Sequence, residues 1–363
     1  MIHILLGTRA QLIKMAPVMR ELSREEIPYN FIFTGQHKDT MEELRAGFQI
    51  KEPDITLYQG RDIVSIPFMV WWSLRMPWTT LLNKKEIFKD DKDGIVITHG
   101  DTISTLLGAL MGKLAGLKVG HVESGLRSFN IFHPFPEELT RVATFGLCDY
   151  FFCPGEWAMN NLKKHKGKKI NTGVNTLFDS LKWALENSDQ IEVEMPQEKY
   201  CIISIHRYEN MNTRSKFLNM IKIVERIATR IKALFFLHPV TEKKLHRYGF
   251  YTRLKENPGV ELRHRYSYFR FIKLLHASEF MVTDGGSNQE ECSYLGKPCL
   301  LLRKATERQE GLGKNVCLSQ MNDSIIDDFV NDYSRFLTPF LQEGITSSSI
   351  IVNEIKKFQN SKK

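Results

Sequence analysis

Short β-branched runs that stop abruptly at glycine or polar residues, each followed by a helical stretch, recur along this chain. Ile95-Val96-Ile97-Thr98 runs into His99-Gly100-Asp101-Thr102, and Lys118-Val119-Gly120-His121-Val122 into Glu123-Ser124-Gly125. Strands separated by helices pair in parallel, and their polar carboxyl ends line up along one edge of a sheet. A first series of strands is expected at 2–6, 29–34, 94–98, 118–122 and 150–153, with helices at 14–24 and 104–115. A second is expected at 199–205, 234–237, 260–263, 280–283 and 298–302, with helices at 213–229, 269–276 and 287–295. The expected fold is α/β, with two Rossmann-like doubly wound domains facing a central cleft. The seam falls near Asn171-Thr172-Gly173-Val174-Asn175, which gives domains at 1–172 and 173–345 and a C-terminal helix or tail at 346–363.

A length of 363 residues exceeds one ordinary core and agrees with two domains. The chain opens directly on a strand, without the basic region, long apolar run and small-residue cleavage site of a signal peptide. Six cysteines at 148, 153, 201, 292, 299 and 317 show no CxxC or zinc spacing. They read as reduced thiols, so a cytoplasmic protein without bound metal is expected. The most apolar window, 63–82, is broken by Pro67, Arg75 and Pro77 and cannot be a clean membrane span. Its aromatics read as core or interface packing. The formal charge of +8 suits an anionic ligand. The basic runs at 163–169, read as a loop, and at 356–363 lack interleaved stacking aromatics, so no nucleic-acid partner is expected.

Three acid-bearing motifs follow one another in the first half: His99-Gly100-Asp101-Thr102, His121-Val122-Glu123-Ser124-Gly125-Leu126-Arg127, and Pro134-Phe135-Pro136-Glu137-Glu138-Leu139-Thr140-Arg141. Helix capping explains one such carboxylate but not three in succession. At the first strand, Gly7-Thr8-Arg9 leads into a helix carrying Lys14, a turn that offers backbone N–H groups and two cations to an anion. It is neither G-x-G-x-x-G nor a Walker loop. In the second half, Asp284-Gly285-Gly286-Ser287 forms a strand-to-helix turn that can close on a diphosphate, and Glu291, about a turn on, can reach ribose hydroxyls. His206 and His238 end strands, where imidazoles suit proton transfer or phosphate binding.

In these motifs the chain resembles the non-hydrolysing UDP-N-acetylglucosamine 2-epimerases of bacteria and archaea. The resemblance is carried in order by Gly7-Thr8-Arg9…Ile13-Lys14-Met15-Ala16-Pro17, Thr34-Gly35-Gln36-His37, the three acidic motifs, Thr172-Gly173, His206-Arg207…Glu209-Asn210, Gln289-Glu290-Glu291…Leu295-Gly296-Lys297-Pro298 and Thr306-Glu307-Arg308. It implies a GT-B-like pair of domains, a homodimer, a UDP-sugar as substrate and no cofactor. The family inverts C2 by removing its proton with anti elimination of UDP, giving a 2-acetamidoglucal to which UDP adds back. The resemblance implies Asp101, Glu123 and Glu137 as acid/base carboxylates with His206 beside them. It assigns Arg9, Lys14, Arg127, Arg141, His238, Gly285, Gly286, Ser287, Glu291 and Arg308 to the substrate and its UDP.

The chain departs from the family pattern at several places. Ala10-Gln11 replaces Pro-Glu, and Asp284-Gly285-Gly286-Ser287-Asn288 replaces Asp-Ser-Gly-Gly-Ile. Asp39 stands where relatives activated by a second UDP-N-acetylglucosamine carry a glutamine, which leaves Gln36, His37 and Arg207 as candidates for that second site. Arg127-Ser128-Phe129-Asn130 is similar to relatives that act on UDP-2,3-diacetamido uronic acids, so the exact sugar stays open. A hydrolysing relative would carry a different glutamate motif at 121–127. A GT-B glycosyltransferase would need less acid/base equipment, and a non-catalytic binder would need none.

Overall fold

The computed structural model describes residues 1–36, 41–60, 62–63, 66–130, 136–342, 344 and 346–361. The chain divides into two compact units, Met1–Trp183 with Glu343–Lys363, and Ala184–Gln342.

In the first unit the strands are β1 (Ile2–Leu6), β2 (Tyr29–Phe33), β3 (Ile55–Thr56), β4 (Ile95–His99), β5 (Lys118–Val122), β6 (Tyr150–Cys153) and β7 (Lys168–Asn171). The helices are α1 (Arg9–Arg24), α2 (Met41–Gly47), α3 (Ile66–Ile87), α4 (Ile103–Leu114), α5 (Glu137–Phe145), α6 (Glu156–Asn161) and α7 (Leu177–Glu186), whose last three residues lie past the division. All strand pairs are parallel, in the order β3-β2-β1-β4-β5-β6-β7. β1, β2 and β4 are buried along their whole length, as parallel strands covered on both faces must be.

The second unit holds β8 (Tyr200–Ser204), α8 (Tyr208–Met211), α9 (Arg214–Ala228), β9 (Lys232–Leu237), α10 (Pro239–Tyr248), α11 (Tyr251–Lys255), β10 (Val260–His264), α12 (Tyr268–Ala277), β11 (Met281–Thr283), α13 (Gly286–Leu295), β12 (Cys299–Leu301), β13 (Val316–Leu318) and α14 (Asp323–Asn331). Its sheet is also parallel, in the order β10-β9-β8-β11-β12-β13. Each sheet reverses its order once, between β1 and β4 and between β8 and β11. In open α/β sheets ligands bind outside the carboxyl ends at that switch point.

The structure corrects two expectations. Lys168 and Lys169, read as part of a basic loop, begin the edge strand β7, and Lys168 pairs with Glu354. The division between units falls at Trp183/Ala184 instead of the seam near 172, and the C-terminal helix α15 (Ser347–Asn360) belongs to the first unit. Side chains account for both shifts. Ser347 Oγ donates to the Thr172 carbonyl at 3.0 Å, and the Ser348 N–H donates to Asp179 at 2.7 Å. Pro17 inside α1 cannot donate to the Ile13 carbonyl, and Ser180 of α7 supplies that hydrogen bond at 2.6 Å. Among the described residues no helix is long and apolar enough to cross a membrane.

Candidate active site

The switch point of the first sheet is built from the β1–α1 turn and the ends of β4 and β5. Gly7 is required there, because a Cβ would lie 2.0 Å from Ser104 Oγ and 2.2 Å from Thr34 Oγ1. Thr8 caps α1, and Gln11 completes the capping box through its Oε1, which accepts from the Thr8 N–H at 3.1 Å and also from the Gly7 N–H at 2.9 Å. The Gln11 amide then donates to the His99 carbonyl at 2.7 Å and to Thr105 Oγ1 at 3.0 Å. One side chain thus ties the β1 turn to the end of β4.

Glu123 leaves β5 with φ +62, a left-handed backbone that non-glycine residues seldom adopt. Both of its carboxylate oxygens lie 2.8 Å from Lys14 Nζ, and Oε2 is 3.1 Å from His99 Nε2. The three side chains are buried. Asp101 is partly exposed and pairs with Arg141 Nη2 at 2.5 Å. Glu137 opens α5, where the helix dipole favours a carboxylate. Its neighbour Glu138, fully buried, accepts from Arg127 Nε at 2.5 Å, from the Ser128 N–H at 3.1 Å and from Arg141 Nη1 at 3.3 Å.

His121 lies beneath this group. Its Nε2 is 2.7 Å from the Gly100 carbonyl, which can only accept, and its Nδ1 is 2.9 Å from Ser124 Oγ. Burial pushes its pKa down to about 4, so the ring is neutral near pH 7, with the proton on Nε2. It fixes the Gly100 turn that presents Asp101.

In the second sheet the switch point is organised by Asp284, fully buried at the end of β11. It accepts from the His206 N–H and the Arg207 N–H, each at 3.0 Å, and from Asn210 Nδ2 at 2.9 Å. His206 Nδ1 lies 3.4 Å from the same carboxylate. Desolvation outweighs that charge and lowers the His206 pKa. The His238 ring is 5.5 Å from the His206 ring, and its Nδ1 caps α10 by accepting from the Val240 N–H at 3.3 Å.

Gly285 and Gly286 are small because of what lies against them. A Cβ on Gly285 would sit 2.9 Å from His206 Cε1, and one on Gly286 would sit 2.7 Å from Arg308 Nε. Ser287 and the first turn of α13 follow, where N–H groups lack intrahelical acceptors. Arg308 pairs with the fully buried Glu290 at 2.5 Å. Buried Glu291 accepts from Asn288 Nδ2 at 2.8 Å.

The sequence-derived residues therefore fall into two groups. Arg9, Lys14, Asp101, Glu123, Arg127, Glu137 and Arg141 belong to the first unit, and His206, His238, Gly285, Gly286, Ser287, Glu291 and Arg308 to the second. Lys14, assigned by resemblance to the diphosphate, is engaged with Glu123. Gln36 accepts from Ser104 Oγ at 2.6 Å. Arg207 lies 3.4 Å from Glu209 and 3.6 Å from Glu307. Burial opposes ionisation of Glu307, but Arg303, Arg308 and Arg207 draw its pKa to about 2. His37, Asp39, Pro134 and Phe135 lie outside the described residues. Sequence reading missed the supporting roles of Gln11, His121, Glu138, Asp284 and Glu290. Glu138 and Arg141 at i, i+3 on α5, and the acid ending β11, were the available signals.

The first group offers buried and half-buried carboxylates backed by cations, which suits moving a proton at carbon. The second offers a helix N-terminus, imidazoles and an arginine, which suits a diphosphate. Among the described residues no group of three or more His, Cys, Asp or Glu could hold a metal ion.

Comparison with known proteins gives the family. The family model for UDP-N-acetylglucosamine 2-epimerase matches residues 20–335. A UDP-N-acetylglucosamine 2-epimerase of Methanococcus maripaludis is 33% identical over 370 residues, covering 97% of each chain. The crystal structure of the Neisseria meningitidis UDP-GlcNAc 2-epimerase bound to UDP-GlcNAc matches with a TM-score of 0.83 at 29% identity, over 98% of this chain and 99% of that one. The Methanocaldococcus jannaschii UDP-GlcNAc 2-epimerase in complex with UDP-GlcNAc and UDP matches with a TM-score of 0.82 at 27% identity, over 98% of this chain and 99% of that one.

Proposed function

The chain belongs to the UDP-N-acetylglucosamine 2-epimerase family, and on that premise we propose that it interconverts UDP-N-acetylglucosamine and UDP-N-acetylmannosamine without hydrolysis. A carboxylate of the first unit takes the C2 proton while the C1–O bond breaks and its electron pair leaves with UDP. This gives the 2-acetamidoglucal. A proton returns to C2 on the opposite face and the diphosphate re-adds at C1, so atoms and charge balance over the cycle.

Asp101, Glu123 and Glu137 are the acid/base groups in this reading, with Arg127 and Arg141 directing the sugar. Lys14 acts through Glu123, to which it is paired. Arg9, His206, His238, the turn of Gly285, Gly286 and Ser287, and Arg308 receive the diphosphate, and Glu291 the ribose. The observation that carries the proposal is the buried Lys14–Glu123–His99 cluster, next to the Asp101–Arg141 pair, at the carboxyl edge of the first sheet. The working form is a homodimer in the cytoplasm, a compartment that suits six free thiols.

Proton NMR of the purified protein with UDP-N-acetylglucosamine in D2O tests the reaction. Loss of the C2 proton signal from both epimers, with no free sugar, is the expected result. Free UDP with N-acetylmannosamine would make the enzyme hydrolytic. An unchanged spectrum would remove the activity.

A further inference from the structure

A row of residues crosses the carboxyl edge of the second sheet, one from each of four neighbouring strands. β10 pairs with β9 so that His264 lies opposite Leu237. β9 pairs with β8 so that Phe235 lies opposite Ile203, and β8 with β11 so that Ser204 lies opposite Thr283. Continued past the strand ends, this register sets Arg265, His238, His206 and Gly285 side by side. Two contacts agree with the continuation. The His238 and His206 rings are 5.5 Å apart, and a Cβ on Gly285 would sit 2.9 Å from His206 Cε1. Neighbouring strands lie about 4.8 Å apart, so Arg265 follows His238 at one strand spacing, within reach of a long side chain.

Three other arginines at this edge are committed to carboxylates. Arg207 lies 3.4 Å from Glu209, Arg303 Nη2 is 3.0 Å from Glu307, and Arg308 pairs with Glu290. His264, one residue back, has its Nδ1 3.5 Å from Glu242. Among the described residues Arg265 has no carboxylate partner. Tyr266, one residue on, packs its ring against Phe236 at 5.3 Å, which anchors the backbone that carries Arg265. The Arg265 side chain is open to solvent, yet the atoms packed around it lower the guanidinium pKa. After burial, its charge is one of those that lower the pKa of His206. A cation that has lost part of its water and gained no acid costs free energy in the free protein. An anion lying over His206 and His238 would offset that cost.

We propose that Arg265 is a further substrate-binding residue, its guanidinium extending the row of His206 and His238 to meet a phosphate oxygen of the UDP moiety. The assignment rests on the reading that places UDP at this edge. A guanidinium offers its N–H donors in a planar fork that matches phosphate, which neither imidazole can do. The same plane can stack on an aromatic ring, so uracil is the competing contact. The imidazoles beside Arg265, both assigned to the diphosphate, favour phosphate.

Isothermal titration calorimetry of the full chain with UDP, at about 50 mM and about 500 mM salt, tests the contact. At low salt Arg265→Gln, which keeps length and polarity but not charge, is expected to raise the Kd for UDP roughly 10-fold or more. Arg265→Lys, which keeps the charge, should raise it less. At high salt the gap between Arg265→Gln and wild type should shrink, because an exposed charge is screened. His206→Ala separates the two ways of failing. A Kd raised in His206→Ala but unchanged in Arg265→Gln would overturn the Arg265 contact and leave UDP at this edge. A Kd unchanged in both would remove UDP from this edge, and the Arg265 contact with it. A loss in Arg265→Gln as large at high salt as at low would put the guanidinium on the uracil ring and overturn the phosphate contact.

Discussion

Glu138 shows how much of a site can depend on a side chain that never meets the substrate. Burial works against its ionisation, yet the Arg127 hydrogen bond, the Ser128 N–H and the charges of Arg127 and Arg141 outweigh burial and hold the carboxyl below the usual range. Arg141 in turn holds Asp101. Glu138→Gln removes the charge both arginines face, so Asp101 loses its fixed partner geometry. Turnover is expected to fall by up to ~10²-fold, the scale set by small misplacements of reacting groups. The KM for the UDP-sugar should change little, and the pH dependence of kcat should shift, a readout that simple loosening of α5 would not move. Glu138→Asp should restore part of the rate. An unchanged pH profile in Glu138→Gln would reduce Glu138 to a fold residue. Residue identities at this site were legible because Asp101 and Glu123 sit in short motifs at strand ends and Glu137 in a short motif that opens a helix. Their partners were not, since Lys14 and Glu123 are 109 residues apart and nothing in either motif names the other.

At the scale of elements, interior strands were legible, and of the four edge strands only β10, expected at 260–263, was. β1, β4 and β5 are β-branched or apolar runs because both faces are covered. β3 has two residues, β13 three, and β7 begins with two lysines, the charge an exposed sheet edge carries to discourage further pairing. The β1–α1 turn was read as an anion cradle with a departure at Gln11, and the structure gives that departure a physical role. A glutamate can accept from Gly7, but it cannot donate to the His99 carbonyl or to Thr105. Gln11→Glu should therefore set the buried His99 carbonyl against a carboxylate, with the one proton of the Thr105 hydroxyl contested between them, and cost about 1–3 kcal/mol. A lower urea midpoint at unchanged slope would show it. An equal midpoint would mean the β1 turn and β4 are held together by other contacts.

Two tandem doubly wound units were legible at the scale of the whole molecule, because strand-to-helix periodicity is a property of composition and spacing. The ownership of 173–183 and of α15 was not, since it depends on Ser180, Asp179, Ser347 and Ser348 meeting partners far away in sequence. Both units share one further property, histidines whose burial opposes protonation. His121 is drawn from 6.5 to about 4, and His3 and His165 in the first unit and His206 and His276 in the second are lowered, with desolvation the largest cause in each. Between about pH 6.5 and pH 4 the unfolded chain therefore binds protons that the folded chain refuses, so stability falls as the pH drops through that window and is level above it. The span of the His121 shift alone corresponds to on the order of 3 kcal/mol. Asp179, raised by burial, runs the other way, and the lowered carboxyls of Asp54, Asp91, Asp149 and Glu307 extend the acid loss to lower pH. Urea unfolding between about pH 7.5 and pH 5 should show midpoints declining in every phase of the transition, because each unit contributes. His121→Gln, which cannot titrate, should be less stable at neutral pH and less sensitive to acid. Midpoints that stay level across the window would mean these rings reach water before either unit unfolds.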